Sequence, residues 1–170
     1  TKEDIIRFFD IDSKKIEVVY QSVSPVFFER ENTEKLPLKY NLSDQFILSV
    51  GTNEPRKNQL SLLKAIHAEK IDTQVVFVGK TTSYTKKLVG FINKNKMQNQ
   101  VKFLNNLPEN DLAGLYQTAR LSVYNSFFEG FGLPVIEAMA SGCPVITTNV
   151  SCMPETAGGA ALLCTPNDLN

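Results

Sequence analysis

Glu129 and Glu137 are separated by seven residues, Gly130-Phe131-Gly132-Leu133-Pro134-Val135-Ile136. Glycine lets a main chain approach a ligand with no Cβ in the way. Pro134 suits the first turn of a helix, and the N–H groups that open a helix have no intrahelical partner. The helix dipole is positive at that end, so the run suits an anion, above all a phosphate. Glu129 sits at the mouth of this loop. Glu137 sits among Val135, Ile136, Ala138, Met139 and Ala140, where a carboxylate is costly to bury unless something satisfies it. Two readings stay open. In one, both carboxylates accept hydroxyl groups on either side of a bound phosphate, as strong acceptors do. In the other, the charge lies at the helix edge or pairs with a lysine.

The elements that must position these groups follow from periodicity. Residues 46–50, 75–78, 101–104, 121–124, 144–147 and 160–163 are short apolar runs. Between them, helical spacing places Leu60, Leu63, Ala65 and Ile66 inward over residues 58–69, and Leu88, Phe91 and Ile92 inward over 83–96. Residues 109–118 turn Leu112, Leu115 and Tyr116 inward. A helix over 134–141 stops at Gly142, and another turn begins at Pro154. Apolar strands alternating with helices predict an α/β fold: a Rossmann-like, doubly wound parallel sheet of about six strands. Ligands of such sheets bind beyond the carboxyl ends of the strands, here at residues 51–57, 79–83, 105–108, 125–133 and 148–154. Upstream, a helix over residues 2–10, capped by Thr1, would carry Ile5, Ile6, Phe8 and Phe9 on its apolar side. A β-branched run follows at 16–20, and residues 22–41, rich in proline and charge, read as a loop or linker. The division is therefore 1–44, an interdomain segment whose opening helix and strand pack on the domain, and 45–170, the Rossmann-like domain.

With 170 residues the chain can bury one core. Its formal net charge is zero, so no bulk attraction to nucleic acid or membrane is expected. Residues 73–108 hold no acid but six lysines: Lys80, Lys86, Lys87, Lys94, Lys96 and Lys102. This stretch reads as a solvated helix face, or as a patch facing an anionic ligand, a partner domain or a lipid surface. Cys143, Cys152 and Cys164 form no CxxC pair, and His67 is the only histidine, which argues against a zinc site. The cysteine count suggests a reducing compartment. The chain has no initiator Met and opens inside a predicted helix, so it reads as part of a longer protein.

The pattern as a whole resembles the group 1 glycosyltransferases, family GT4 of the GT-B fold. Glu129 and Glu137 look like that family's E-x7-E motif. The following Ala138-Met139-Ala140-Ser141-Gly142-Cys143-Pro144-Val145-Ile146 is also similar, as are Pro154-Glu155, Gly158, Gly159 and the run Gly51-Thr52-Asn53-Glu54-Pro55-Arg56-Lys57-Asn58. The resemblance implies one half of a two-domain enzyme, the half that binds a GDP- or UDP-linked sugar. The reaction it implies is retaining, metal-independent hexosyl transfer, as in mannosyltransferases, to a saccharide or lipid-linked acceptor. Glu129 would bind donor-sugar hydroxyls and Glu137 the ribose hydroxyls. The N–H groups of Gly130, Phe131, Gly132 and Leu133 would bind the diphosphate, and Lys57 would neutralise it as it leaves. Lys57 and Glu129 are thus the implied catalytic pair. Lys80 and the segment Asn105, Asn106 and Leu107 would hold the base. Where many relatives have an arginine, this chain has Thr52; Arg56 either replaces its charge or points to solvent.

No cofactor or metal is implied. The partners are the nucleotide sugar and the enzyme's own acceptor-binding domain, and the expected location is the cytoplasm or the inner face of the membrane. The isolated half is expected to be inactive. An alternative is a non-catalytic nucleotide-sugar-binding or regulatory module. A nicotinamide-binding domain is excluded, because no G-x-G-x-x-G follows the first strand with an acid about twenty residues on. His67 is expected to be an ordinary surface or half-buried histidine, and Cys143 and Cys152 packing residues. At least two of Phe127, Phe128 and Phe131 are expected in the core.

Overall fold

The computed structural model describes residues 2–30, 33 and 35–167. Thr1, proposed as a helix cap, lies outside them. Six strands form one sheet: β1 (Phe46–Val50), β2 (Gln74–Val78), β3 (Val101–Leu104), β4 (Leu121–Tyr124), β5 (Val145–Thr148) and β6 (Leu162–Cys164). Their order is β3-β2-β1-β4-β5-β6, and every pairing is parallel.

Strand alternation distributes the apolar side chains to two faces. Ile47, Val75, Phe77 and Val123 join Leu62, Leu63 and Ile66 of α3 (Gln59–Ala68) and Leu88 and Ile92 of α4 (Thr85–Lys94). Phe46, Leu48, Val76, Val78 and Tyr124 face the other way. They pack on Leu115 and Tyr116 of α5 (Glu109–Thr118), Val135 and Ala138 of α6 (Leu133–Ala140), and Met153 of α7 (Met153–Ala157). The chain therefore winds outward from β1 in one direction and from β4 in the other. The loops after β1 and β4 meet where the strand order reverses, which is where such folds hold ligands.

Two glycines let the first two loops approach each other. The Gly51 N–H donates to Val78 O at 2.8 Å. A Cβ on Gly79, whose φ is +148°, would lie 2.2 Å from the Gly51 carbonyl oxygen.

The N-terminal segment departs from expectation. α1 (Lys2–Phe9) forms but buries no residue, and Phe8 and Phe9 are largely exposed. Residues 16–20 pair with no strand, despite their β-branched composition. Residues 22–41 are not simply a linker. Pro25–Phe28 makes a 3-10 turn and α2 (Leu36–Tyr40) a short helix. They bury Phe27 and Leu36 against α5 and its neighbours, with the Phe27 and Tyr116 rings edge-on at 6.0 Å. Proline and charge in the sequence mask these two apolar anchors.

Candidate functional site

Two loops at the switch point are bound to each other before any side-chain chemistry enters. After β1, Pro55–Lys57 form a 3-10 turn closed by Asn58 in the left-handed region (φ 55°). After β4, the Phe127 N–H donates to Arg56 O at 2.9 Å. The buried Asn125 amide donates to Asn58 O at 3.1 Å and to Ser61 Oγ at 2.6 Å.

Glu129 is the focus of the charges. Its Oε1 receives Lys57 Nζ at 2.7 Å, Arg56 Nη1 at 2.7 Å and Ser126 Oγ at 2.6 Å. The Lys57 ammonium also donates to the Tyr124 hydroxyl and lies 4.7 Å from that ring's centroid. Arg56 further donates to Phe128 O at 2.7 Å and pairs with Glu54 at 2.6 Å. The Lys57 and Glu129 side chains keep only 13% and 10% of their exposure; Arg56 keeps 41%. Burial pushes the Glu129 carboxyl up, but hydrogen bonds from Lys57, Ser126 and Arg56 outweigh it, and the group titrates below its ordinary value. Burial, then the Glu129 charge, carries the Tyr124 phenol well above its ordinary value, so it stays a neutral hydroxyl. Arg56 thus joins the cluster through its guanidinium while remaining exposed to solvent.

A third connection holds the loop from below. The Ser151 hydroxyl accepts from the Glu129 N–H at 3.2 Å and donates to its carbonyl at 2.8 Å. The Cys152 thiol reaches the same carbonyl at 3.2 Å, and Thr156 donates to Phe131 O. Gly132, at φ +90°, opens α6 in the left-handed region, and a Cβ there would lie 2.5 Å from Met153 Cε. A Cβ on Gly130 would meet open space. The hydrogen bonds of the described residues leave the N–H groups of Gly130, Phe131, Gly132 and Leu133 without a protein acceptor.

Glu137 lies half-buried on α6 and accepts from the Tyr116 hydroxyl at 3.2 Å. Burial raises its carboxyl above the ordinary range; the Tyr116 bond opposes this, and Glu109 adds to it. Its satisfying partner is thus a buried phenol and not a lysine.

The structure brings Arg56, Lys57 and Glu129 together with the 130–133 turn. It does not bring Lys80, Asn106 or Leu107 into contact with them. Lys80 and Asn106 are exposed on neighbouring loops of the same sheet edge, Asn106 at φ 53°, and Leu107 packs on the core. Thr52 is half-buried, its carbonyl accepting from Gln59 Nε2 at 3.0 Å. A concavity of about 400 Å3 lies beside the cluster, between Pro55, Asn58, Lys64, Tyr84 and Phe127. It does not include Lys57 or Glu129, so the convergence of charges and not this hollow marks the site.

Sequence reasoning missed Tyr124, Asn125 and Ser126. Their signal is a polar triplet ending an apolar strand, all three buried. The expected core phenylalanines are a correction: Phe127 and Phe128 are 40% and 56% exposed, and Phe131 is half-buried. The loop's turn back toward Arg56 faces them outward. His67 is exposed, edge-on to Phe91 at 6.1 Å. Cys143 is a buried packing residue whose thiol burial pushes up to about 12. Among the described residues no group of three or more His, Cys, Asp or Glu is placed to hold a metal ion. Nor is any of their helices long and apolar enough to cross a membrane.

The family model for glycosyl transferases group 1 matches residues 30–169. The chain belongs to this family. This glycosyltransferase domain is 35% identical to O-antigen chain mannosyltransferase B of Escherichia coli, over 100% of this chain and 46% of that protein. It is 32% identical to O-antigen chain mannosyltransferase RfbU of Salmonella typhimurium, over 98% of this chain and 45% of that protein. The domain thus spans about half the length of these relatives. Among solved structures, a glycosyltransferase from Rickettsia africae superposes with a TM-score of 0.85 at 26% identity, covering 99% of this chain and 48% of that one. Anabaena Alr3699/HepE in complex with UDP gives 0.85 at 22% identity, with the same coverage, which establishes a shared Rossmann-like half of the GT-B fold.

Proposed function

We propose that this domain binds the nucleotide-diphosphate sugar of a retaining hexosyl transfer and stabilises the departing nucleoside diphosphate. One observation carries the reading: Lys57 and Arg56 converge on Glu129 beside four main-chain N–H groups that have no protein acceptor. The free N–H groups put partial positive charge at a helix start, with two cations beside it. The relative crystallised with UDP, and the O-antigen mannosyltransferases, support a nucleoside diphosphate and a hexosyl group respectively.

In this reading Lys57, Arg56 and the amides of Gly130 to Leu133 bind the diphosphate. As the bond to the anomeric carbon breaks, negative charge grows on the leaving oxygens. These donors are already aimed at it, and one such donor is typically worth about 3 kcal/mol. Glu129, kept ionised by its partners, orients the two cations and accepts sugar hydroxyls. Glu137 accepts ribose hydroxyls, which would replace or join its Tyr116 bond. Lys80, Asn106 and Leu107 edge the base. Thr52 contributes a hydroxyl near the phosphates. Neutralisation is assigned to protein groups, without a bound metal, and the acceptor is a saccharide or lipid-linked saccharide held by the rest of the enzyme.

The test is calorimetric titration of UDP, GDP and ADP with and without EDTA, followed by Lys57→Ala and Glu137→Ala. One nucleoside diphosphate should bind in the micromolar-to-millimolar range, unaffected by EDTA and weakened by both changes. Equal binding by parent and both variants would refute the site.

A further inference from the structure

Tyr20 lies outside the sheet, in a segment that forms no strand, and is 60% exposed. It nonetheless reaches the loop between Glu129 and α6. Its hydroxyl donates to Glu155 on α7, and its ring lies 5.8 Å from the Phe131 ring, tilted by 37°. Downstream, Phe27 is buried beside Tyr116, so the segment is anchored to the core on that side. α7 is already the loop's support: Thr156 donates to Phe131 O, and Met153 fills the space next to Gly132. Phe131 is therefore gripped twice, at its carbonyl by Thr156 and at its ring by Tyr20. Both grips trace to adjacent residues, Glu155 and Thr156.

An exposed tyrosine with so few contacts adds little to global stability, where most surface changes fall within about 0.5 kcal/mol. What it can fix is local. Holding the Phe131 ring restricts the backbone rotation that would turn the neighbouring N–H groups away, and donors act only when they are oriented in advance.

We infer that Tyr20 is a positioning residue: from the segment ahead of the sheet it latches Phe131 and so holds the amides of Gly130 to Leu133 toward the diphosphate. The inference rests on the donor-site reading above. It also makes the placement of that upstream segment a determinant of donor affinity.

The test titrates UDP and GDP into parent, Tyr20→Ala, Tyr20→Phe and Lys57→Ala proteins and records each Tm. Tyr20→Ala should weaken binding about three- to tenfold, the range of one aromatic contact, with Tm unchanged. Tyr20→Phe, which keeps the ring, should recover most of the affinity. Parent-like binding by Tyr20→Ala, with Lys57→Ala impaired, would overturn the latch and leave the site standing. So would a Tm that falls together with affinity and is not rescued by phenylalanine. Parent-like binding by Lys57→Ala would remove the donor-site reading and the latch with it.

Discussion

Replacing Glu129 with glutamine separates the two tasks assigned to that carboxylate. The change keeps the shape and leaves an oxygen for Ser126, now 2.6 Å away, but removes the charge facing Lys57 and Arg56. Breaking a fully buried pair costs about 3–5 kcal/mol. Here Lys57 is 13% and Glu129 10% exposed, and Lys57 retains the Tyr124 hydroxyl, so the cost falls to about 2–3 kcal/mol. Arg56, at 41% exposure, adds little. For a domain of this size that is a Tm lowered by about 4–12 °C. The pH dependence has a definite sign. The folded carboxyl titrates below its unfolded value, so its stabilisation is present above the ordinary carboxylate range and is lost as pH falls through the depressed value. The glutamine variant should therefore show a flatter acid limb in Tm against pH. Binding should move the other way. With no carboxylate competing for the two cations, UDP or GDP should bind as well as before or better, while the matching nucleotide sugar loses the advantage its sugar confers. Scanning calorimetry from about pH 3 to 7 and titration of both ligands make the comparison. An unchanged Tm together with weaker diphosphate binding would refute the reasoning.

Gly79→Ala places a Cβ 2.2 Å from the Gly51 carbonyl at a φ of +148°. Because backbone cannot yield as a side chain does, urea denaturation should show a loss of at least about 2 kcal/mol. Phe27→Ala removes a ring that is 2% exposed; it should cost about 3–5 kcal/mol in the same assay, whereas a linker residue would cost nothing measurable. Glu137→Gln should stabilise the ligand-free protein at neutral pH. Its folded carboxyl titrates above the unfolded value, so stability is lost as pH rises from the unfolded value through the folded one, and the amide removes the cost. The same variant should bind nucleoside diphosphate less tightly.

The sheet was legible because its strands are nearly pure apolar runs. β1, β3, β4 and α5 lie where the pattern puts them, and α6 starts one residue early, at Leu133, with Pro134 still in its first turn. The failures share a cause: local pattern carries no information about what lies opposite. α1 has the right periodicity and no buried residue. Residues 16–20 have strand composition but pair with nothing. Phe27 and Leu36 are hidden among prolines and charges because each finds its partners across the fold. At the site, the glutamates and glycines stood out by spacing and type, and Lys57 through the family resemblance. Tyr124, Ser126 and Ser151 did not, since a hydroxyl becomes informative only when the chain brings an ammonium, carboxylate or carbonyl to it.

Why the cluster tolerates so much charge follows from the topology. A carboxylate and an ammonium nearly removed from water need excellent geometry to break even. That geometry comes from three connections that have nothing to do with one another in sequence. The β1 loop supplies Arg56 and Lys57 and is tied by Arg56 O to Phe127. The β4 loop supplies Ser126 and Glu129. The turn before α7 holds the Glu129 backbone through Ser151 and Cys152. They meet only because the strand order reverses between β1 and β4. The cations are therefore held at a fixed place by an internal counter-charge, one residue before the free amides begin. On the proposed reading, a diphosphate arriving there would exchange one set of negative oxygens for another without rebuilding the site. This is the arrangement in which preformed donors favour a charge that grows during reaction over the charge already present.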